Sequence, residues 1–526
     1  MADTPSTIIW WLKEDFRLDD NPALVRAFQL VEKREMRTVI PLFVIEPSWL
    51  EAPETSGFHV AAVLEAVTKL RQTLRSMGGE LLIMHGEVFE VLQQISQDIA
   101  LHAIVAHEEV GADRTFKRDQ RVASWCREQS VEFIELIQTG VFRRLEDRDK
   151  RGRLWKQFMN DKPFDAPPAE LIAKRIAVPK KLLERRSDLA KRPSPSKAGH
   201  VLSAEQSEHR QTVHHEAAVE TMESFLYRRG QAYSGGISSP LTAFDAGSRM
   251  SVHLAWGTIS PRRLWHRTEA RSQDFKRKRD EDSKAWRKSL RAFTARLNWR
   301  DHFVQRLETE PSMEFHSLNR AYDNLPVSED ANRLEAWKGG RTGLPMVDAC
   351  IRCVQTTGFL NFRMRSMITS AACHTLRLPW NALHIPMARW WADYEPGIHL
   401  SQLQMQAGVV GINTLRTYNP AKQITDQDPE CIFVKRWLPE LKAATPKEII
   451  DHQESPCSYY LPPIVNYKTE VAQMRSDYYR LRRQPETKEL AATVYEKHGS
   501  RKRPPRRKPK TTTSNTKQMS LLEEED

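Results

Sequence analysis

Cysteine is scarce, with six in 526 residues, and so small a number scattered over so long a chain argues against a disulfide scaffold. Cys350 and Cys353 form a C-x-x-C inside a helical stretch with no convincing second pair. Core packing is therefore favoured over a metal or cluster site, and no metal is expected. Long apolar runs are missing as well. None approaches the roughly 18 to 20 residues that a spanning helix needs, so no membrane crossing is expected. The first residues also lack the marks of a secretory signal: Met1 to Ser6 has no basic side chain, and Ile8-Ile-Trp-Trp-Leu12 is too short for an apolar signal core. The expected location is the cytoplasm and the expected state a monomer.

What the chain does contain is ample for two cores, since 40% of its residues are hydrophobic. A formal charge of +12 and 14 Trp are compatible with a nucleic-acid partner, because Lys and Arg neutralise phosphates and indoles stack on bases. Part of that charge lies near the end of the chain. Arg501, Lys502, Arg503, Arg506, Arg507, Lys508 and Lys510 crowd ten positions, and with their prolines they predict a disordered tail over 485–526 that could follow DNA phosphates or stay solvated.

The first 142 residues read as α/β. Ile8 to Leu12, Val39 to Ile45, Leu81 to Met84, Ala103 to Ala106 and Val131 to Ile137 are short apolar runs of the kind that form buried parallel strands. Helical stretches at Val60 to Met77, Val88 to Ile99 and Thr115 to Gln129 alternate with them, which predicts a doubly wound parallel sheet with right-handed crossovers. Residues 143–224 read as a connector rich in Pro and charge, and 225–484 as a larger all-α domain.

Within that domain the stretch from Gly339 to Leu441 carries an unusual density of Trp, Arg, Asp, His and Gln. Pro345 to Thr357 has Pro in its first turn and Gly358 just past its end, a clean helix. Arg363 and Arg365 on one side and Asp393 and Glu395 on the other lie amid apolar residues and would be costly to bury unpaired. At least one Arg–acid pair is expected, as a structural pair or as part of a cofactor site. Gly247-Ser-Arg-Met-Ser251 offers hydroxyls and amides near a helix start, the usual cradle for a diphosphate. On the helix predicted over Phe293 to Leu307, Arg296, Trp299, Arg300 and Phe303 share one face, which suits either a packed interface or a base and its phosphate.

Trp337-Lys-Gly-Gly-Arg-Thr-Gly-Leu-Pro-Met-Val-Asp348, Asn419-Pro-Ala-Lys-Gln423, Asp428-Pro429 and Trp437-Leu-Pro-Glu-Leu441 together resemble the flavin-binding domain of the photolyase and cryptochrome family, and Trp11-Leu-Lys-Glu-Asp-Phe-Arg-Leu-Asp-Asp-Asn21 resembles its opening motif. The resemblance runs to about Leu441. It implies FAD in the helical domain, held by Tyr233, Ser248, Arg249, Met250, Ser251, Phe293, Arg300, Arg365, Asp393 and Glu395, with His399 at the flavin N5 edge tuning the cofactor, or Gln402 there if the match shifts by one or two residues. It also implies a pterin or deazaflavin antenna as an optional second chromophore in the first domain. Damaged DNA would meet Arg296, Trp299, Phe362 and Arg363.

Departures from the family pattern shape the functional expectation. Arg296 stands where dimer-repairing photolyases carry a lesion-binding Glu, and Phe362 where they have Asn. Asn361, Phe362 and Ser366 lack the His pair of (6-4) photolyases. Gly247 stands where the pattern has Thr. Of the usual three electron-relaying tryptophans only Trp380 is kept, with Leu403 and Val327 at the other two positions, while Trp390, Trp391 and Tyr394 lie nearby. The resemblance implies a light-driven lyase of the deoxyribodipyrimidine photolyase type, and as an alternative a cryptochrome-like blue-light photoreceptor with a signalling partner.

Overall fold

The computed structural model describes residues 7–32, 38–185, 201–328 and 330–499. The basic run from Arg501 to Lys510 lies outside them. Five strands form one parallel sheet: β1 (Thr7–Leu12), β2 (Thr38–Ile45), β3 (Leu82–His85), β4 (Leu101–His107) and β5 (Glu132–Leu136), in the order β3-β2-β1-β4-β5. Helices α1 (Pro22–Glu32), α2 (Gly57–Ser76), α3 (Val88–Asp98) and α4 (Asp113–Glu128) cover it. Strand pleating divides them between two faces. Ile8, Trp10 and Leu12 of β1 pack with Leu24 of α1 and Val63 of α2, whereas Ile9 and Trp11 pack with Leu92 of α3 and Val122 of α4. The expected doubly wound architecture is present.

The connector is more structured than its composition suggests. It contains α5 (Arg151–Asn160), whose Trp155 meets Trp265 edge-on at 5.2 Å and donates its Nε1–H to Asp301 at 2.8 Å. The helical domain then builds α6 (Pro261–Gln273), α7 (Glu281–Thr309), α8 (Pro345–Thr357), α9 (Phe362–Ser370), α10 (Trp380–Trp390), α11 (Pro396–Ala407), α12 (Tyr467–Arg482) and α13 (Pro485–His498) among shorter turns. Helix α13 corrects the expected boundary of the tail. Its Thr487 and Val494 are buried, and Asn319 donates to the Thr487 carbonyl at 3.1 Å.

The two domains are held edge to edge by charge and by close backbone contact. Asp20 pairs with Arg262 at 2.5 Å and Asp19 with Arg263 at 2.6 Å, both arginines of α6. Arg17 itself is buried and donates to the Gly257 carbonyl at 2.8 Å. Gly257 sits at φ 60°, where an added Cβ would fall 1.9 Å from the Glu14 carbonyl oxygen, so only glycine permits this approach.

Candidate functional site

Helix α7 supplies one wall of the site. Asp280 caps it, accepting the Ser283 N–H at 2.8 Å, and Glu281 and Asp282 favour the positive end of its dipole. Farther along, Trp299 stacks on Phe303 with centroids 5.6 Å apart, and Arg300 bonds Asp301 at 2.7 Å and the Leu254 carbonyl at 3.2 Å. The facing helix α11 comes close because Gly397 has no side chain: a Cβ there would lie 2.6 Å from Val304 Cα. Pro396 starts α11, and Glu395 caps it, accepting the Gly397 and Ile398 N–H groups at 3.1 and 3.0 Å. Burial raises the Glu395 carboxyl above its usual range, against the pull of Arg300.

The Arg–acid pair is there. Arg365 on α9 meets Asp393 at 3.0 Å, lies over the Trp391 ring at 4.3 Å, and donates to the Leu360 carbonyl at 2.6 Å. On the opposite side Arg229 donates to the carbonyls of Gly247 and Ser248, the latter at 2.7 Å, pinning the hydroxyl-rich loop. Arg249 in that loop is half-buried, stands at φ 60°, and places its guanidinium 3.7 Å from the Phe359 ring centroid. Burial pushes it down to about 10, still a cation at neutral pH.

These elements enclose a cavity of about 700 Å³. Tyr233, Ser248, Arg249, Met250, Ser251, Phe293, Arg300, Arg365, Asp393 and Glu395 all line it, and so do Arg296, Trp299, Phe362 and Arg363. Phe362 is 40% exposed at the mouth, whereas Phe293 and Tyr233 are buried and meet edge-on at 5.8 Å. Sequence motifs from four separate regions therefore converge on one space. Six lining residues keep a buried polar atom without a hydrogen bond: Arg249 Nη1, Arg306 Nε and Nη1, Asn361 Oδ1, Arg363 Nε, Asp393 Oδ1 and Gln402 Oε1. Donors and acceptors of this kind, around apolar walls, suit a large ligand with an anionic end and a polar ring edge.

Two expected residues fall elsewhere. His399 does not line the cavity; Ile398, Gln402 and Met405 present that face of α11 instead, at i, i+4 and i+7. The His399 Nε2 atom faces His384 Nδ1 at 3.0 Å, and burial and His384 together hold it well below the ordinary histidine range. Trp380 is also away from the lining, buried and donating to Ser317 Oγ at 3.0 Å. Leu403 is buried and Val327 exposed, while Trp390 packs on Trp337 at 4.9 Å. Conversely His302, Arg306, Arg416 and His498 line the cavity without having been picked out. Arg306 lies seven residues beyond Trp299 and could have been found by extending the same helical face one turn; His498 carried no such signal.

Cys350 and Cys353 are buried in α8, and among the described residues no cluster of His, Cys, Asp and Glu could hold a metal. No described helix is long and apolar enough to cross a membrane.

Comparison with known proteins agrees with this geometry. The profile described as DNA photolyase matches residues 8–159, and that of the FAD binding domain of DNA photolyase matches 293–480. A deoxyribodipyrimidine photo-lyase of Thermus thermophilus is 27% identical over 455 residues, covering 85% of this chain and 96% of the relative. A cryptochrome DASH of Gloeobacter violaceus is 26% identical over 472 residues, covering 84% and 87%. In structure, a class III photolyase of Agrobacterium tumefaciens superposes with a TM-score of 0.76 at 22% identity, covering 92% of this chain and 99% of that one. A doubly wound sheet joined to a helical domain of the FAD-binding type, matched along nearly the whole chain, makes this protein a member of the photolyase/cryptochrome family.

Proposed function

We propose that the protein is a light-driven, FAD-dependent DNA repair enzyme that splits pyrimidine photoproducts by electron transfer from photoexcited reduced flavin. The observation that carries this reading is that one cavity joins an anion cradle at Ser248, Arg249 and Ser251 to an aromatic and cationic mouth at Arg296, Trp299, Phe362 and Arg363. FAD, when bound, supplies the photoexcited electron donor. Arg249 and the serine hydroxyls hold the diphosphate, and Asp393, held by Arg365, and the amides of Asn361 and Gln402 orient the polar ring edge. Tyr233, Phe293 and Met250 exclude water from the apolar walls. At the mouth, Trp299 offers a stacking face to a flipped nucleotide, and Arg296 and Arg363 offer charge to its phosphates.

A pterin or deazaflavin antenna would bind at the carboxyl ends of the strands. There Arg118 lies 5.0 Å from the Trp11 ring and pairs with Glu46, Glu109 and Asp119, so an antenna would have to displace it. With two of the usual relay tryptophans replaced, Trp380 serves as a relay only if Trp390 or Trp391 completes the path.

A photoreceptor role is the second reading. It is favoured by Arg296 and Phe362, which cannot repeat the lesion contacts of dimer-repairing relatives, and by cryptochrome DASH relatives nearly as similar as the photolyases. Light-dependent loss of photoproduct from an irradiated oligonucleotide, catalysed by reduced holoprotein, distinguishes the two.

A further inference from the structure

Beyond Trp299 the cavity continues to a second group of cations. Arg306, on the same helix, is 6% exposed and lines the cavity, yet its Nε and Nη1 atoms have no hydrogen-bond partner. Its Nη2 lies 3.4 Å from His302 Nε2, and Arg148 Nη2 approaches the other nitrogen of the same ring at 2.5 Å. A neutral imidazole has a single acceptor nitrogen. If Nδ1 accepts from Arg148, the Nε2–H points at the Arg306 guanidinium, donor against donor. A protonated ring accepts from neither.

The surroundings do not neutralise Arg306. Arg151 is engaged by Asn298 at 2.9 and 3.1 Å, and the nearby Glu310 is taken by Lys497 at 3.0 Å. His498, at the end of α13, is 3% exposed and also lines this end of the cavity. Burial and the Arg148 charge push Arg306 down to about 10, so it remains a cation facing donors. An unpaired buried guanidinium is costly, and an anion with several acceptor oxygens answers every unmet donor at once.

We propose that Arg306, with His302 and His498, forms a phosphate-binding subsite at the far end of the cavity, separate from the Ser248–Ser251 loop, that takes a backbone phosphate of the strand whose base stacks on Trp299. This rests on the DNA-binding reading above. Along α7, ten residues from Arg296 to Arg306 span about 15 Å, so the two arginines flank Trp299 and hold the strand on both sides of the flipped nucleotide.

The test uses FAD-loaded protein and a labelled single-stranded oligothymidylate carrying one cyclobutane dimer. Arg306→Gln is expected to weaken binding at least tenfold and to reduce the slope of log affinity against log salt by about 0.7, the share of one phosphate on a single strand, with FAD content unchanged. Arg306→Lys, which keeps the charge but not the planar fork, recovers part of the loss, and His498→Gln gives a smaller loss; these two carry the test if Arg306→Gln does not fold. Affinity and salt slope equal to wild type in all three variants would overturn the subsite. A second arm separates the sources of phosphate. If wild-type protein binds no oligonucleotide but inorganic phosphate raises its Tm and not that of Arg306→Gln, the subsite stands for a free phosphate and the nucleic-acid reading falls. If phosphate also leaves both Tm values unchanged, the subsite is refuted.

Discussion

Arg249 carries two penalties in the protein without ligand. It holds a left-handed backbone at φ 60°, which costs a non-glycine residue roughly 1 kcal/mol, and it buries a guanidinium with an unbonded Nη1. A bound diphosphate offsets both. Arg249→Gly should therefore leave the FAD-free protein as stable as wild type or slightly more so, while lowering FAD affinity about 10- to 100-fold, the loss of a charge-assisted bond worth about 1.5 to 3 kcal/mol. Thermal melts of the FAD-free protein and flavin titration read the two effects, and a fall in both would mean that Arg249 serves the fold alone. Trp299 makes a simpler case. Trp299→Ala should weaken binding of dimer-containing single strands by about 1 to 3 kcal/mol, the worth of base stacking, and unchanged affinity would remove it from the site. That both line the cavity was legible from sequence because their motifs are local. His399 falls outside the cavity for a reason spacing cannot reveal: neighbouring residues on α11 differ by about 100° in direction, and packing against His384 and Tyr394 decides which one faces the cavity.

Helix α2 shows how an element joins the first domain to the site. His59, in its first turn, accepts the Ser56 N–H at Nδ1, 3.3 Å away, so its Nε2 carries the hydrogen and donates to the Trp391 carbonyl at 2.9 Å. Burial lowers its pKa from 6.5 to about 4. Below pH 6.5 the unfolded chain takes up a proton that the folded chain refuses. The stabilisation is thus fully present above pH 6.5 and is lost as pH falls towards 4, at roughly 1.4 kcal/mol per pH unit. Denaturant titrations at pH 7 and pH 5 should show this slope, and His59→Gln should make it shallower by about that amount; an unaltered slope would place the acid sensitivity elsewhere. At the other end of the chain, α13 seats Thr487, Val494 and His498 on the body. A chain ending at Gln484 should be about 2 to 4 kcal/mol less stable than one ending at Gly499, given the side chains that α13 buries. Equal stability would show that α13 only rests on the surface. Its polar, weakly periodic sequence concealed it, because tertiary contacts and not an apolar stripe hold it in place.

Across the whole molecule, the order of apolar runs was enough to predict five parallel strands and a helical second domain, since periodicity and length are local properties. The interface between the domains was not legible. Asp19 and Asp20 lie more than two hundred residues from Arg263 and Arg262, and no local pattern links them. Convergence of the Ser248–Ser251 loop, α7, α9 and α11 on one cavity follows from that packing, and it is what turns separate motifs into the single site proposed to hold a flavin and a nucleotide together. The most direct test of that claim is blue-light repair by purified FAD-loaded protein, chemically reduced beforehand so that the altered tryptophan relay is bypassed, acting on oligonucleotides that carry either a cyclobutane dimer or a (6-4) product. Restoration of one of these lesions to intact pyrimidines under light and not in the dark is the predicted result. Loss of neither lesion, with FAD bound and responsive to light, would contradict the repair reading and identify the protein as a photoreceptor.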